Sequence, residues 1–190
     1  MRVLLVEAET PRAAGLEGSL RAAGHTVVGR ARPGDDLLEC VAALTPDVII
    51  VDIESPDRDV LESMRSVSRD RPRPIVMFTG ERDGDRIREA IRAGVSAYVV
   101  DGLDPGRVQP ILDAAVARFR EFESLRRERD EARGRLEERK TIERAKGILM
   151  SQRGMGEQQA YDALRKVAMD RNLRLVEVAR SVIAAADLLG

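Results

Sequence analysis

DVIIVDIESPD, residues 47–57, decides how the rest of the chain is read. Four β-branched residues, Val48 to Val51, stand in an unbroken run between Asp47 and Asp52. A strand with one wet face alternates apolar and polar side chains. A run without alternation predicts a strand buried on both faces, as in a parallel sheet covered by helices on either side. Working outward, Arg2–Val6, His25–Gly29, Ile75–Phe78 and Ala97–Val100 are four more short apolar runs. Between them lie helical patterns around 35–44, 59–68 and 84–93, and an earlier one through Ala13, Leu16, Leu20 and Ala23 that starts after Thr10-Pro11 and ends at Gly24. Strands alternating with amphipathic helices predict an α/β fold with a five-stranded parallel sheet.

Such a sheet places its site at the carboxyl ends of the strands. Those ends carry Glu7 and Glu9, then Asp52, Thr79 and Asp101. Carboxylates beside a hydroxyl suit phosphoryl transfer: acids to hold a divalent cation, one acid as nucleophile, the hydroxyl on a phosphoryl oxygen. VLLVEAE, DVIIVDIESPD, IVMFTG and AYVV, in that order and spacing, resemble the receiver domain of two-component response regulators, which implies a flavodoxin-like sheet and makes Asp52 the counterpart of the phosphoacceptor. Two departures stand out. The second of the usual adjacent acids is Ala8, and the lysine after the fifth strand is replaced by Asp101, with no lysine anywhere in residues 1–139. A carboxylate in the lysine's place repels a dianionic phosphoryl group. The expectation is that Asp52 accepts phosphate poorly or not at all and that the domain works by binding other proteins. No cofactor is expected; Mg2+ at Glu7 and Asp52 is what the resemblance would add. Tyr98 reads as a half-buried aromatic on the sheet.

The net charge of −1 hides a gradient. Residues 1–104 hold 14 arginines against 19 acids, 105–138 hold eight of each, and 139–190 hold ten bases against six acids. A basic end segment is a footprint of nucleic-acid binding. One cysteine and one histidine leave no set for a Cys/His zinc site. Cys40, within Leu37, Leu38, Val41 and Leu44, reads as an inert core thiol. No apolar run reaches the roughly 20 residues of a spanning helix, and MRVLLVEAE turns acidic too soon for a signal peptide, so a cytoplasmic protein without membrane contact is expected.

From residue 105 the pattern is helical. Pro110 is expected to break an opening turn, with the main helix restarting near Gln109 and running to Gln152, roughly 60 Å. Phe122, Leu125, Ala132 and Leu136 share a heptad seam with Arg118, Arg129 and Arg139, a weak coiled-coil signal in which Phe119 and Phe122 are the best dimer anchors. After a break at Gly154-Met155-Gly156, two further helical patterns follow, the second of them Leu175–Leu188, predicting three helices around a small core that takes in Ile142, Leu149, Tyr161, Leu164 and Ala168. AKGILM at 145–150, AYDALRKVAM at 160–169 and LVEVA at 175–179 resemble the ANTAR domain, an RNA-binding antitermination module, and the whole chain resembles NasT-type regulators of nitrate assimilation.

The expected organisation is a receiver-like domain over 1–104, a helical linker over 105–138 and an all-α ANTAR domain over 139–190. The resemblance implies binding to hairpins of a leader RNA and a separate nitrate or nitrite sensor protein as partner; a homodimer through the long helix is expected as the active form. Lys146 and Arg165, within the family motif, lead the expected RNA contacts, followed by Arg144, Arg153, Lys166, Arg171 and Arg174. Three helices after a receiver also describe DNA-binding response regulators, and a phosphorylation-activated ANTAR regulator is the other alternative. No enzyme activity is expected, since no nucleophile–base pair lies outside the strand-end edge.

Overall fold

The computed structural model describes residues 1–7, 11–100 and 105–189. The chain divides into two compact units, Met1–Glu123 and Ser124–Gly190. In the first, β1 (Arg2–Glu7), β2 (Thr26–Ala31), β3 (Val48–Asp52), β4 (Ile75–Thr79) and β5 (Ala97–Val100) form one sheet in the order β2-β1-β3-β4-β5, and every pairing is parallel. Every residue of β3 is buried, as its unbroken apolar run requires. Successive side chains of a strand point to opposite faces. Ile49, Val51, Ile75 and Met77 therefore meet one helical layer, while Val48, Ile50, Val76 and Phe78 meet another.

The first layer holds α2 (Leu37–Leu44), α3 (Arg58–Asp70) and α4 (Gly84–Arg92), through Leu37 and Val41, Leu61 and Met64, and Ala90. Asp36, Asp57 and Asp83 cap their N-termini, each carboxylate accepting from a backbone N–H of the first turn. Gly94 ends α4's connection at φ 100°, and a Cβ there would strike Ser68 on α3. The second layer holds α1 (Pro11–Ala22), through Leu16 and Leu20, and the start of α5 (Pro105–Arg153), through Val108, Leu112 and Ala115. Cys40 packs half-buried against the first cluster, and burial raises its thiol pKa.

Pro110 does not break α5, contrary to expectation; the helix is continuous for 49 residues. Proline removes a single backbone hydrogen bond, the one its N–H would have donated four residues back. Its neighbours hold the helix in place: Val108 and Leu112 are fully buried, and Gln109 Oε1 lies 2.7 Å from Nε2 of His25, the residue before β2.

In the second unit, the end of α5, α6 (Glu157–Arg171) and α7 (Leu175–Leu189) close around Ala145, Leu164, Ala168, Val178 and Ala179. Ile142, Leu149, Val182 and Ile183 pack half-buried on that cluster. Gly154, at φ 62°, and Asn172, at φ 53°, make the two reversals of chain direction. No helix among the described residues is long and apolar enough to cross a membrane.

Candidate functional site

Parallel pairing of β1 with β3 sets Glu7 beside Asp52 at the carboxyl edge of the sheet, and both are buried. Glu9 and Asp101, expected at the same edge, lie outside the described residues. The sequence reading missed Arg30. It projects from β2, next to β1, and its Nη1 stands 3.1 Å from Glu7 Oε1, while Nη2 is paired with Glu17 of α1. Strand order was the missing signal: once β2 is known to flank β1, a basic residue at its end must face the acids. Glu7 Oε2 is buried without a hydrogen-bond partner. Burial pushes the Glu7 carboxyl above its usual range; Arg30 opposes that shift and Asp52 adds to it.

Thr79 is buried, and its hydroxyl is committed to the backbone, donating to Glu54 O at 2.7 Å and accepting from Glu81 N at 3.1 Å. Tyr98 is half-buried, its hydroxyl donating to Glu81 O at 3.1 Å. No group of three or more His, Cys, Asp or Glu among the described residues is placed to hold a metal ion.

A raised carboxyl pKa means that the fold favours neutral Glu7. Ionising it costs stability above the unfolded carboxylate range of about 4.3, and that cost vanishes below it. Glu7→Gln is therefore expected to raise the thermal midpoint at pH 7 by a few degrees, on the order of 1 kcal/mol, with the gain shrinking towards zero near pH 4. A lower midpoint at pH 7 would show that the ion pair with Arg30 outweighs desolvation.

The basic residues of the second unit separate into two groups. Lys146 is only 7% exposed, and its ammonium donates to Glu157 Oε1 at 2.7 Å and to Glu143 Oε2 at 3.0 Å. These bonds, that to Glu157 first, raise the lysine's pKa, and Lys146 lowers that of Glu157. Lys146 thus clamps α5 to the first turn of α6 across the Gly154–Gly156 turn, which differs from the exposed phosphate contact expected of it. Arg144 pairs with Asp187 at 3.2 Å and Arg174 with Glu138 at 2.5 Å. Arg153, Arg165, Lys166 and Arg171 are exposed and meet no carboxylate among the described residues.

Tyr161, expected in the core, is 36% exposed on α6, one turn before Arg165. The core position it was given belongs to Ala160, which is fully buried. On α5, Phe122 is 64% exposed, and Leu125 and Leu136 are also exposed.

Residues 3–113 match the response regulator receiver domain family, and residues 130–183 match the ANTAR domain family. Over 96% of this chain and 89% of the relative, the sequence is 35% identical to the transcriptional regulatory protein PdtaR of Mycobacterium tuberculosis. A 53-residue segment, 28% of this chain and 13% of the relative, is 57% identical to the nitrate regulatory protein of Klebsiella oxytoca. The signal receiver domain of a modulated diguanylate cyclase from Desulfovibrio desulfuricans matches with a TM-score of 0.55 at 24% identity, over 63% of this chain and 95% of that one, a likeness of fold alone. The two domain matches lie in one chain, the likeness to PdtaR runs over nearly its whole length, and the protein belongs to the ANTAR family of response regulators.

Proposed function

We propose that this chain is an RNA-binding transcription antiterminator whose receiver domain is governed by protein partners more than by phosphate. The observation that carries the RNA reading is the group Arg153, Arg165, Lys166 and Arg171, exposed cations without a carboxylate partner among the described residues of a small helical unit. Cations that have no acid to leave can neutralise phosphates and release counterions without first breaking an ion pair. Arg144 and Arg174 are secondary contacts, because each must give up Asp187 or Glu138. Lys146 serves by holding the α5–α6 turn in shape. A protein that binds one of two competing RNA folds shifts the balance by its differential affinity, which is how a hairpin binder suppresses a terminator.

Three features support partner control of the receiver: Asp101 at the family's lysine position, the Thr79 hydroxyl committed to the backbone, and Arg30 against Glu7. The partner proposed is a nitrate or nitrite sensor protein, in keeping with the segment shared with the Klebsiella oxytoca nitrate regulatory protein. Exposed Phe122, Leu125 and Leu136, on one heptad seam, support a homodimer through residues 105–138.

The full-length protein is expected to bind its leader RNA without a phosphoryl donor, and more tightly than the promoter duplex. Acetyl phosphate and Asp52→Asn are each expected to change that affinity by less than about twofold, within the usual effect of a substitution that removes no contact. Tighter duplex binding would reject the RNA reading. A tenfold gain on acetyl phosphate, abolished by Asp52→Asn, would reject phosphate-independent control.

A further inference from the structure

α6, the reversal after it and the start of α7 line an open cleft of about 530 Å³ beside the helical core. Tyr161, Arg165 and Met169 recur every four residues along α6 and form one side of it; Asn172, Leu173 and Arg174 of the reversal form the other. Met169 is 70% exposed and Leu173 is also exposed, so apolar surface that could have closed the core faces solvent instead. The Tyr161 hydroxyl and the Asn172 side-chain amide make no hydrogen bond among the described residues. The lining contains two arginines and no carboxylate.

We propose that this cleft receives an unpaired base of the bound RNA, an inference that rests on the RNA-binding reading. The groups present match the parts of a nucleotide one by one. The Tyr161 ring offers a flat apolar seat for a base, and the Met169 thioether, two turns further along α6, adds apolar lining. The Asn172 amide supplies a donor and an acceptor for a base edge, as single-stranded RNA recognition requires. Arg165, without a carboxylate partner, meets the adjoining phosphate. Arg174 lines the same cleft but is held on Glu138 at 2.5 Å, and so helps to shape the wall. An acidic peptide would satisfy the arginines, but it would leave the aromatic face and the amide without a planar partner, which favours the nucleotide.

The test uses the full-length protein and a hairpin RNA selected for binding from a pool with a randomised loop. Tyr161→Ala is expected to weaken binding roughly tenfold, the usual effect of losing one stacked base, while Tyr161→Phe retains affinity. Replacing each loop nucleotide in turn by an abasic residue should reveal one position at which the loss is not additive with Tyr161→Ala, because both changes remove the same contact. Met169→Glu, at an exposed site outside the core, should weaken binding comparably by placing a carboxylate in the cleft, and a thermal melt confirms that each variant is folded. If hairpins bind but neither Tyr161→Ala nor Met169→Glu alters affinity, or every abasic position is additive with Tyr161→Ala, the cleft is not a base site and the RNA reading stands. If no hairpin from the pool binds, both readings fall.

Discussion

Arg165→Glu combined with Lys166→Glu is expected to weaken hairpin RNA binding by at least about 100-fold at physiological salt, with the fold intact. Both side chains are exposed on α6 and have no carboxylate partner among the described residues, so reversing them removes two phosphate contacts and adds two repulsions. The neutral pair Arg165→Ala and Lys166→Ala separates the two effects. Each lost contact should flatten the dependence of log affinity on log salt by about 0.7 to 0.9, so the slope should fall by roughly 1.5. Arg144→Ala is the matched control. Its guanidinium already pairs with Asp187 at 3.2 Å, and the loss expected there is no more than about threefold, because an exposed ion pair is exchanged for a phosphate contact of similar strength. Equal losses at Arg144 and Arg165 would show that the acid partners do not sort these residues.

Leu164→Ala is expected to destabilise the second unit by about 2–5 kcal/mol. Leu164 is 2% exposed and is the one large side chain among the five buried residues of that core; the others are Ala145, Ala168, Ala179 and Val178. Shrinking it leaves a cavity that helices held apart by alanines cannot fill without moving. For a unit of this size each kcal/mol moves the midpoint by roughly 4–8 °C, so a fall of at least about 10 °C should appear in the transition of residues 124–190. The receiver's transition should stay in place, because Leu164 contributes nothing to either sheet-face cluster. Hydrogen exchange resolved by residue would check this. Uniformly faster exchange across both units would show that they unfold as one, against the division of the core into separate clusters.

The receiver sheet was legible because its signals are local. Val48–Val51 announces a doubly buried strand by composition alone, and amphipathic patterns around 35–44, 59–68 and 84–93 mark the helices between strands. The three helices of the second unit were legible for the same reason, through the 3.6-residue recurrence of Leu164 and Ala168 and the glycine break before them. Pro110 was misread because a local rule about proline omits what the sheet supplies: buried Val108 and Leu112 hold the helix through the lost bond.

Side-chain roles at the candidate sites were less legible. The family motif puts Lys146 and Arg165 together at the head of the expected RNA contacts and does not tell them apart. Only packing brings Glu157 across the Gly154–Gly156 turn to occupy Lys146 and leaves Arg165 without such a partner. Tyr161 and Ala160 are adjacent in sequence, about 100° apart around α6, and periodicity cannot choose between them when both suit the stripe. Tertiary packing buries Ala160 and leaves Tyr161 at the cleft. Arg30 faces Glu7 because β2 flanks β1, a neighbour relation that no local stretch of residues expresses. The sequence by itself determined the strands, the helices and the order of the two domains, since those follow from backbone preference and hydrophobic period over short spans. The tertiary structure decided which charges are free to bind, because an ion pair or a cleft is made by residues far apart in the chain and exists only once the elements are packed.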